Sequence, residues 1–367
     1  MTRNQLLYRP TICAELEVMV NNCFNSPLKK GLFVTGPHGV GKSHTLMNLV
    51  LKLMSTGNYL VTFLPNCDQW SGVAYLVEMI CQSFGAPPPA ILPGEIDDGV
   101  LRKFINAVDA VLQKKNKQWV FVFDQVNRLF VKPGNERAKD AGSLAFPFNY
   151  IKLAMKPRRI SSIISASSNN EMTFQTKKPE GFVTFAHRLD MSLDELKLVF
   201  PALHNISEEG LNSMIRMTGR VPLQVSSFLE FDCDLKTYRK STTRDVALQV
   251  KKLLRNTAHD ADKVELTKSA VSCLLGIGTH AMIYDRNFCV KTHSRRGVHR
   301  YKCLFPLVAD VLQVEYWDEL LKHVSQNEGA VLRICNTPDI TNDVRGRSFE
   351  FIVINRCISL DGKLGPT

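Results

Sequence analysis

The chain has 367 residues, of which 44% are hydrophobic and 22% charged, values of folded globular proteins long enough for two or three domains. No apolar run approaches the roughly 18 residues a membrane span needs, and Met1–Pro10 lacks the apolar block of a secretory signal, so an intracellular chain, nuclear or cytoplasmic, with no membrane partner is expected. The formal net charge of +11 fits contact with a polyanion or ordinary surface solubility, and charge alone does not separate the two.

Ten cysteines without a CxxC pair read as reduced, mostly buried thiols. Pro10 and Thr11 open a first helix whose Leu16, Met19, Val20 and Cys23 share one face, ended by Ser26 and Pro27. Gly31–Thr35 is a short apolar strand running into a Gly-rich turn, and a helix follows from about Ser43 to Met54. Tyr59–Leu64 reads as a second strand. Helical patterns cover about 73–84 and 97–114, separated by a Pro-rich loop. Trp119–Phe123 is wholly apolar, as in a strand covered on both faces. A polar loop lies near 132–142. Ile160–Ala166 is a fourth strand and Phe182–Leu189 a candidate fifth.

This alternation predicts a parallel five-stranded sheet with right-handed crossovers, ending near Asp190. Beyond it the pattern turns helical, near 193–203, 207–218, 222–231, 242–256 and 264–276, with a capping box at Ser192–Glu195. The segment 280–302 is β-rich and basic, with Gly297 at a hairpin tip. The expected organisation is an N-terminal helical segment (1–27), a P-loop NTPase core (28–190), a helical lid (191–260), a winged-helix-like basic region (261–320) and a remnant or start of a further domain (321–367). The fold class is α/β.

Gly36-Pro37-His38-Gly39-Val40-Gly41-Lys42-Ser43 satisfies GxxxxGK[ST], between a strand and a helix. Glycines let the backbone turn its N–H groups toward phosphates, and the helix start adds its positive dipole end. Lys42 would reach the β/γ-phosphates of a nucleoside triphosphate, Ser43 would coordinate Mg²⁺, and His44 would border the site. A P-loop also needs a carboxylate at the end of a neighbouring buried strand, and Asp124 supplies it, with Asp68 as the alternative. Gln125 follows where many hydrolysing ATPases place Glu. An amide orients water but is no base at neutral pH, so hydrolysis is slow, or another residue helps, or the protein senses nucleotide.

The fourth strand leads into Ser165-Ala166-Ser167-Ser168-Asn169-Asn170. Ser167 or Asn169 would face the γ-phosphate, or the segment is a plain turn. Gly219-Arg220-Val221-Pro222 is either a lid element offering Arg220 to the phosphates or a helix C-cap followed by a helix-starting proline.

The P-loop, Asp124-Gln125-Val126-Asn127, the Ser-Ala-Ser-Ser-Asn-Asn strand end and Thr218–Leu223 together resemble the ATPase module of Crinkler-type effectors and the related retrotransposon hot spot proteins, over about residues 28–310. The resemblance implies a STAND-like ATPase core using ATP, a helical and winged-helix-like lid, intracellular and often nuclear action, and Gln after the Walker B Asp as a family habit. In that family a nuclease domain commonly follows. Here no room for a full nuclease is expected after about residue 320, although Phe349-Glu350 and Asp361-Gly-Lys363 match fragments of one. The N-terminal targeting header of secreted Crinklers is not seen.

Lys291–Lys302 holds five Lys/Arg and two His without an acid. As a hairpin it is a basic wing suited to phosphate-backbone contact, or a solvated surface. The three readings are a MgATP switch with slow hydrolysis, a mobile-element-derived nucleic-acid-binding ATPase, and a non-hydrolysing nucleotide scaffold. Oligomeric state is not legible.

Overall fold

Pro10, whose missing N–H costs nothing at a first helical position, starts helix α1 (Pro10–Asn25). The computed structural model describes residues 9–29, 31–37, 39–67, 73–87, 98–126, 159–166, 181–186, 191–256, 260–275, 289–293, 299–336, 346, 348–354 and 356. The chain divides into two compact units, Thr2–Arg188 and one beginning at Leu189.

In the first unit, β1 (Gly31–Thr35), α2 (Lys42–Ser55), β2 (Tyr59–Leu64), α3 (Val73–Ser83), α4 (Asp98–Lys114), β3 (Gln118–Phe123), β4 (Ile160–Ser165) and β5 (Phe182–Ala186) follow in order. The strands form one parallel sheet in the order β2-β3-β4-β1-β5. Strand periodicity divides β3 between two cores. Trp119, Phe121 and Phe123 face Leu76, Ile80, Leu101 and Ile105 of α3 and α4. Val120 and Val122 join Ile12 and Leu16 of α1 and Leu46 and Leu49 of α2 on the other side. Trp119 Nε1 and Ser83 Oγ both donate to Thr62 Oγ1, at 3.0 Å each. Asp109, 3% exposed on α4, is ion-paired with Arg159 at the entrance to β4. At Gly31 a Cβ would meet the Ser162 carbonyl oxygen at 2.4 Å and the Phe182 ring at 2.6 Å, so the strands close up only over glycine.

The second unit holds α5 (Leu193–Val199), a 3₁₀ turn (Pro201–Asn205), α6 (Glu208–Thr218), α7 (Pro222–Glu230), α8 (Leu235–Asn256), α9 (Asp260–Leu274), the antiparallel hairpin β6 (Cys289–His293) and β7 (His299–Cys303), α10 (Pro306–Glu315) and α11 (Trp317–Cys335). Residues 348–354 are helical, and Phe351 packs on Trp317 with ring centroids 5.2 Å apart. Ser192 and Glu195 form the full capping box of α5.

Three boundaries differ from the sequence pattern. The helix expected over 193–203 breaks at Pro201, which cannot donate back into α5. Helix α8 begins at Leu235 and not near 242, because its buried face opens on Tyr238 and Asp234 accepts from the Lys236 N–H at 2.9 Å. Helix α9 begins at Asp260 and not near 264. Residues 187–189, the loop 132–142, Gly297 and Asp361–Lys363 lie outside the described residues. Among the described residues no helix is long and apolar enough to cross a membrane.

Candidate functional site

Strand β1 delivers its chain at the edge of the loop with Thr35 buried at 4% exposure, and α2 begins seven residues later. Gly39 (φ 83°) and Gly41 (φ 90°) adopt left-handed backbone that a side chain resists. They turn the chain sharply enough for Gly41 to cap α2, where its carbonyl accepts from the Thr45 N–H at 2.9 Å. The first turn of α2 carries no acidic residue, so its free N–H groups and dipole end stay positive toward the loop. Val40 is fully buried and anchors the loop below.

Lys42 folds back over this loop and donates from Nζ to the carbonyl oxygens of Gly36 and Pro37, both at 2.7 Å. Burial pushes its ammonium down to about 8, and the nearby Asp124 carboxylate opposes that shift. His44, one residue past Ser43 on α2, is half-buried, and burial likewise lowers its pKa, again against Asp124. Both residues thus feel the one carboxylate that β3 brings to the loop.

Asp124 is 2% exposed at the carboxyl end of β3. Its N–H donates to Leu64 at 2.9 Å and its carbonyl accepts from Cys67 at 3.2 Å, which fixes it against the end of β2. Because β4 lies between β1 and β3, Ser165 at the end of β4 stands beside Asp124 and its hydroxyl donates to Asp124 Oδ1. The Gln125 N–H reaches the same Oδ1 at 2.9 Å and Ser165 Oγ at 3.3 Å. To do so Gln125 takes a left-handed backbone, φ 57°. Both contacts fall on Oδ1 of the carboxylate.

A hydroxyl at Ser43 and a carboxylate at Asp124 are hard oxygen donors of the kind Mg²⁺ takes. Among the described residues there is no cluster of three or more His, Cys, Asp or Glu that would hold a metal by itself. Such a pair fits an ion that draws its other ligands from phosphate oxygens and water.

Of the residues singled out by sequence, Gly36, Pro37, Gly39, Val40, Gly41, Lys42, Ser43, His44, Asp124 and Gln125 fall on this loop, this helix start and this strand end. His38, Asp68, Asn127, Ser167 and Asn169 lie outside the described residues. Arg220 belongs to the second unit, where Gly219 (φ 60°) caps α6, Arg220 itself has φ 60°, and its N–H donates to Thr218 Oγ1 at 3.3 Å. In the hairpin, Lys291 pairs with Tyr301, Thr292 with Arg300 and His293 with His299.

Two residues escaped the sequence reading. Ser165 stands out only once β4 is known to neighbour β3. Arg9, 1% exposed just ahead of α1, donates from Nη1 to the Val40 carbonyl at 3.4 Å, and no linear pattern connects positions 9 and 40.

A strand–loop–helix of this geometry, with a second strand ending in a buried aspartate in a five-stranded parallel sheet, is the fold of a P-loop NTPase. No family model and no curated protein matches the chain. Among solved structures, the Aeropyrum pernix ORC2 protein in ADPNP and ADP complexes is similar with a TM-score of 0.46 and 12% identity, over 85% of this chain and 96% of that one. Cdc6p from Pyrobaculum aerophilum gives 0.39 and 12% over 87% and 97%, and AMPPCP-bound DnaA from Aquifex aeolicus gives 0.35 and 12% over 99% and 93%. Likenesses this distant carry no argument about activity.

Proposed function

We propose that the chain binds MgATP at the β1–α2 loop and works as a nucleotide-dependent switch with slow hydrolysis. The observation that carries this reading is Lys42, held by two loop carbonyls at 2.7 Å above the start of α2, with the buried Asp124 close enough to bias its charge. The lysine exchanges those carbonyls for the β/γ-phosphate oxygens while the loop N–H groups take the remaining phosphate charge. Mg²⁺ held through Ser43 and Asp124 would supply charge neutralisation at those oxygens. Ser165 and the Gln125 N–H fix Asp124 through Oδ1. The Gln125 side chain orients a water without deprotonating it, which sets a slow rate.

The finer assignments rest on the motifs. The combination of P-loop, Asp-Gln-x-Asn and Gly-Arg-Val-Pro supports a Crinkler-like, STAND-like ATPase inside the cell, nuclear or cytoplasmic, and the choice of ATP rests on that resemblance. Asn169 and Arg220 complete the proposed set as a γ-phosphate sensor and a lid arginine. Phosphate release by the wild type, Lys42→Ala and Asp124→Asn tests the reading. Turnover well below one per second that both substitutions abolish supports it, and equal rates in all three would refute it.

A second reading, a nucleic-acid-binding ATPase, is favoured by the β6–β7 register, which places Arg300 and Lys302 across from Thr292 and Val290 on one basic ribbon. Its mark is faster phosphate release when duplex DNA is added.

A further inference from the structure

Helix α8 carries seven Lys/Arg and one acid over its 22 residues, about 33 Å of rod at 1.5 Å per residue. Its inner face is Tyr238, Val246 and Val250, all buried, and it packs on α6, α7 and α10. On the outer face Lys236, Lys240, Arg244 and Lys252 are all exposed. Lys236, Lys240 and Arg244 follow at i, i+4 and i+8, so they form one row. The flanking cations are used inside the unit: Arg239 reaches Asp310 at 3.9 Å and Lys251 reaches Glu315 at 3.4 Å, both on α10. Among the described residues the row has for company Asp245, 3.7 Å from Arg244 on the same helix, and Asp234 just ahead of the helix, whose carboxylate feels Lys236 and accepts from its N–H at 2.9 Å.

This arrangement works against the helix. Like charges at i, i+4 repel, and the one acid at the positive end of the dipole, Asp234, stands against Lys236 and leaves Lys240 and Arg244 to each other. Folding does not explain a row that folding must tolerate, whereas a polyanion laid along it removes the repulsion.

We propose that the outer face of α8 is a docking surface for the phosphate backbone of duplex nucleic acid, bound without base readout. The row from Lys236 to Arg244 runs about 12 Å and Lys252 lies about 12 Å further along the helix at the other margin of the exposed face, a span that meets several successive phosphates at about 3.4 Å per strand step. Two features choose the partner. The apolar face of α8 is already buried in its own unit, and Leu248 is the large apolar side chain exposed beside the row, so there is no apolar face to enter a lipid surface. The one aromatic of the helix, Tyr238, is buried with its hydroxyl on Gln224 at 2.9 Å, so there is no platform on which single-stranded bases would stack. The row lies on a different element from the β6–β7 ribbon.

The test is binding of a fluorescent 20-bp duplex by the full chain across a salt series, for the wild type and for K236Q/K240Q/R244Q/K252Q. Gln keeps helix propensity, and circular dichroism with a thermal melt reports whether the variant is folded. Four phosphate contacts contribute a slope of about −0.9 each to log Kobs against log salt. The expected result is a wild-type slope shallower by about 3 to 4 in the variant, with affinity at low salt reduced at least tenfold. A second variant, K236R/K240R/K252R, keeps the charge and is expected to keep the wild-type slope, which a merely structural role would not require. An unchanged slope in the Gln variant, or no duplex binding by the wild type, would overturn the proposal. So would binding of phosphatidylserine vesicles in place of the duplex.

Discussion

The Ser165 hydroxyl donates to Asp124 Oδ1 across the β3–β4 step of the sheet, with both residues at most 2% exposed. The carboxylate end of the site is therefore fixed by a neighbour from a different strand, and its charge is felt by Lys42 on the loop. Asp124 without Ser165 would be a buried charge held by the Gln125 N–H alone.

Ser165→Ala leaves that carboxylate short of a donor in a dry environment. The loss is expected to lower stability by about 1–3 kcal/mol, since an unsatisfied buried group forfeits its hydration. Denaturant unfolding of the two proteins checks it. Mg²⁺-dependent nucleotide affinity should fall with it, while Mg²⁺-free affinity stays near wild type.

Lys42 gives the site a pH signature. In the free protein its pKa lies at about 8, and phosphate oxygens favour the ammonium form, so bound nucleotide raises it. A group that binds protons more tightly in the complex makes affinity fall as pH rises through its free value. Above pH 8 the decline approaches about tenfold per unit, and below it this group contributes no slope. Lys42→Arg, charged throughout, should be flat between pH 7.5 and 9 in the same titration.

Much of this site was legible in the linear sequence, for identifiable reasons. A phosphate loop is local: its glycines, lysine and serine lie within eight residues, and Gly39 and Gly41 are glycine because their φ values demand it. Asp124 was legible because a fully buried strand is apolar up to the point where it stops. Ser165 was not, because its meaning depends on strand order, and nothing in Ile160–Ser165 tells which strand lies beside it. Arg9 contacts Val40 across thirty-one positions of chain. The start of α8 was missed because the first half of its inner face is Tyr238 and Thr242, too little apolar periodicity to read.

Gln125 separates a sensor from a fast enzyme. Its left-handed backbone already directs its N–H to Asp124, so a change at the side chain leaves that contact in place. Gln125→Glu supplies a base where the amide only orients. Turnover is expected to rise at least about tenfold, within the range general-base catalysis contributes. Steady-state phosphate release checks this, and an unchanged rate would place the limiting step elsewhere.

In the second unit, Gly219 combines a positive φ with close neighbours. A Cβ there would lie 3.2 Å from both Phe305 Cβ and Pro306 Cδ, in a left-handed backbone. Gly219→Ala is expected to cost about 1–2 kcal/mol from the backbone alone. Thermal melting should show the loss, with Lys42-dependent nucleotide affinity used as the control for the first unit.

The central claim is that the β1–α2 loop binds a nucleoside triphosphate through Lys42. Calorimetric titration of ATP into the wild type and Lys42→Ala, each with and without Mg²⁺, tests it most directly. The account requires wild-type binding that Mg²⁺ strengthens and that Lys42→Ala weakens by at least about tenfold, the worth of one charge-assisted phosphate contact. Absence of wild-type binding, or equal binding by a folded Lys42→Ala protein, would contradict it.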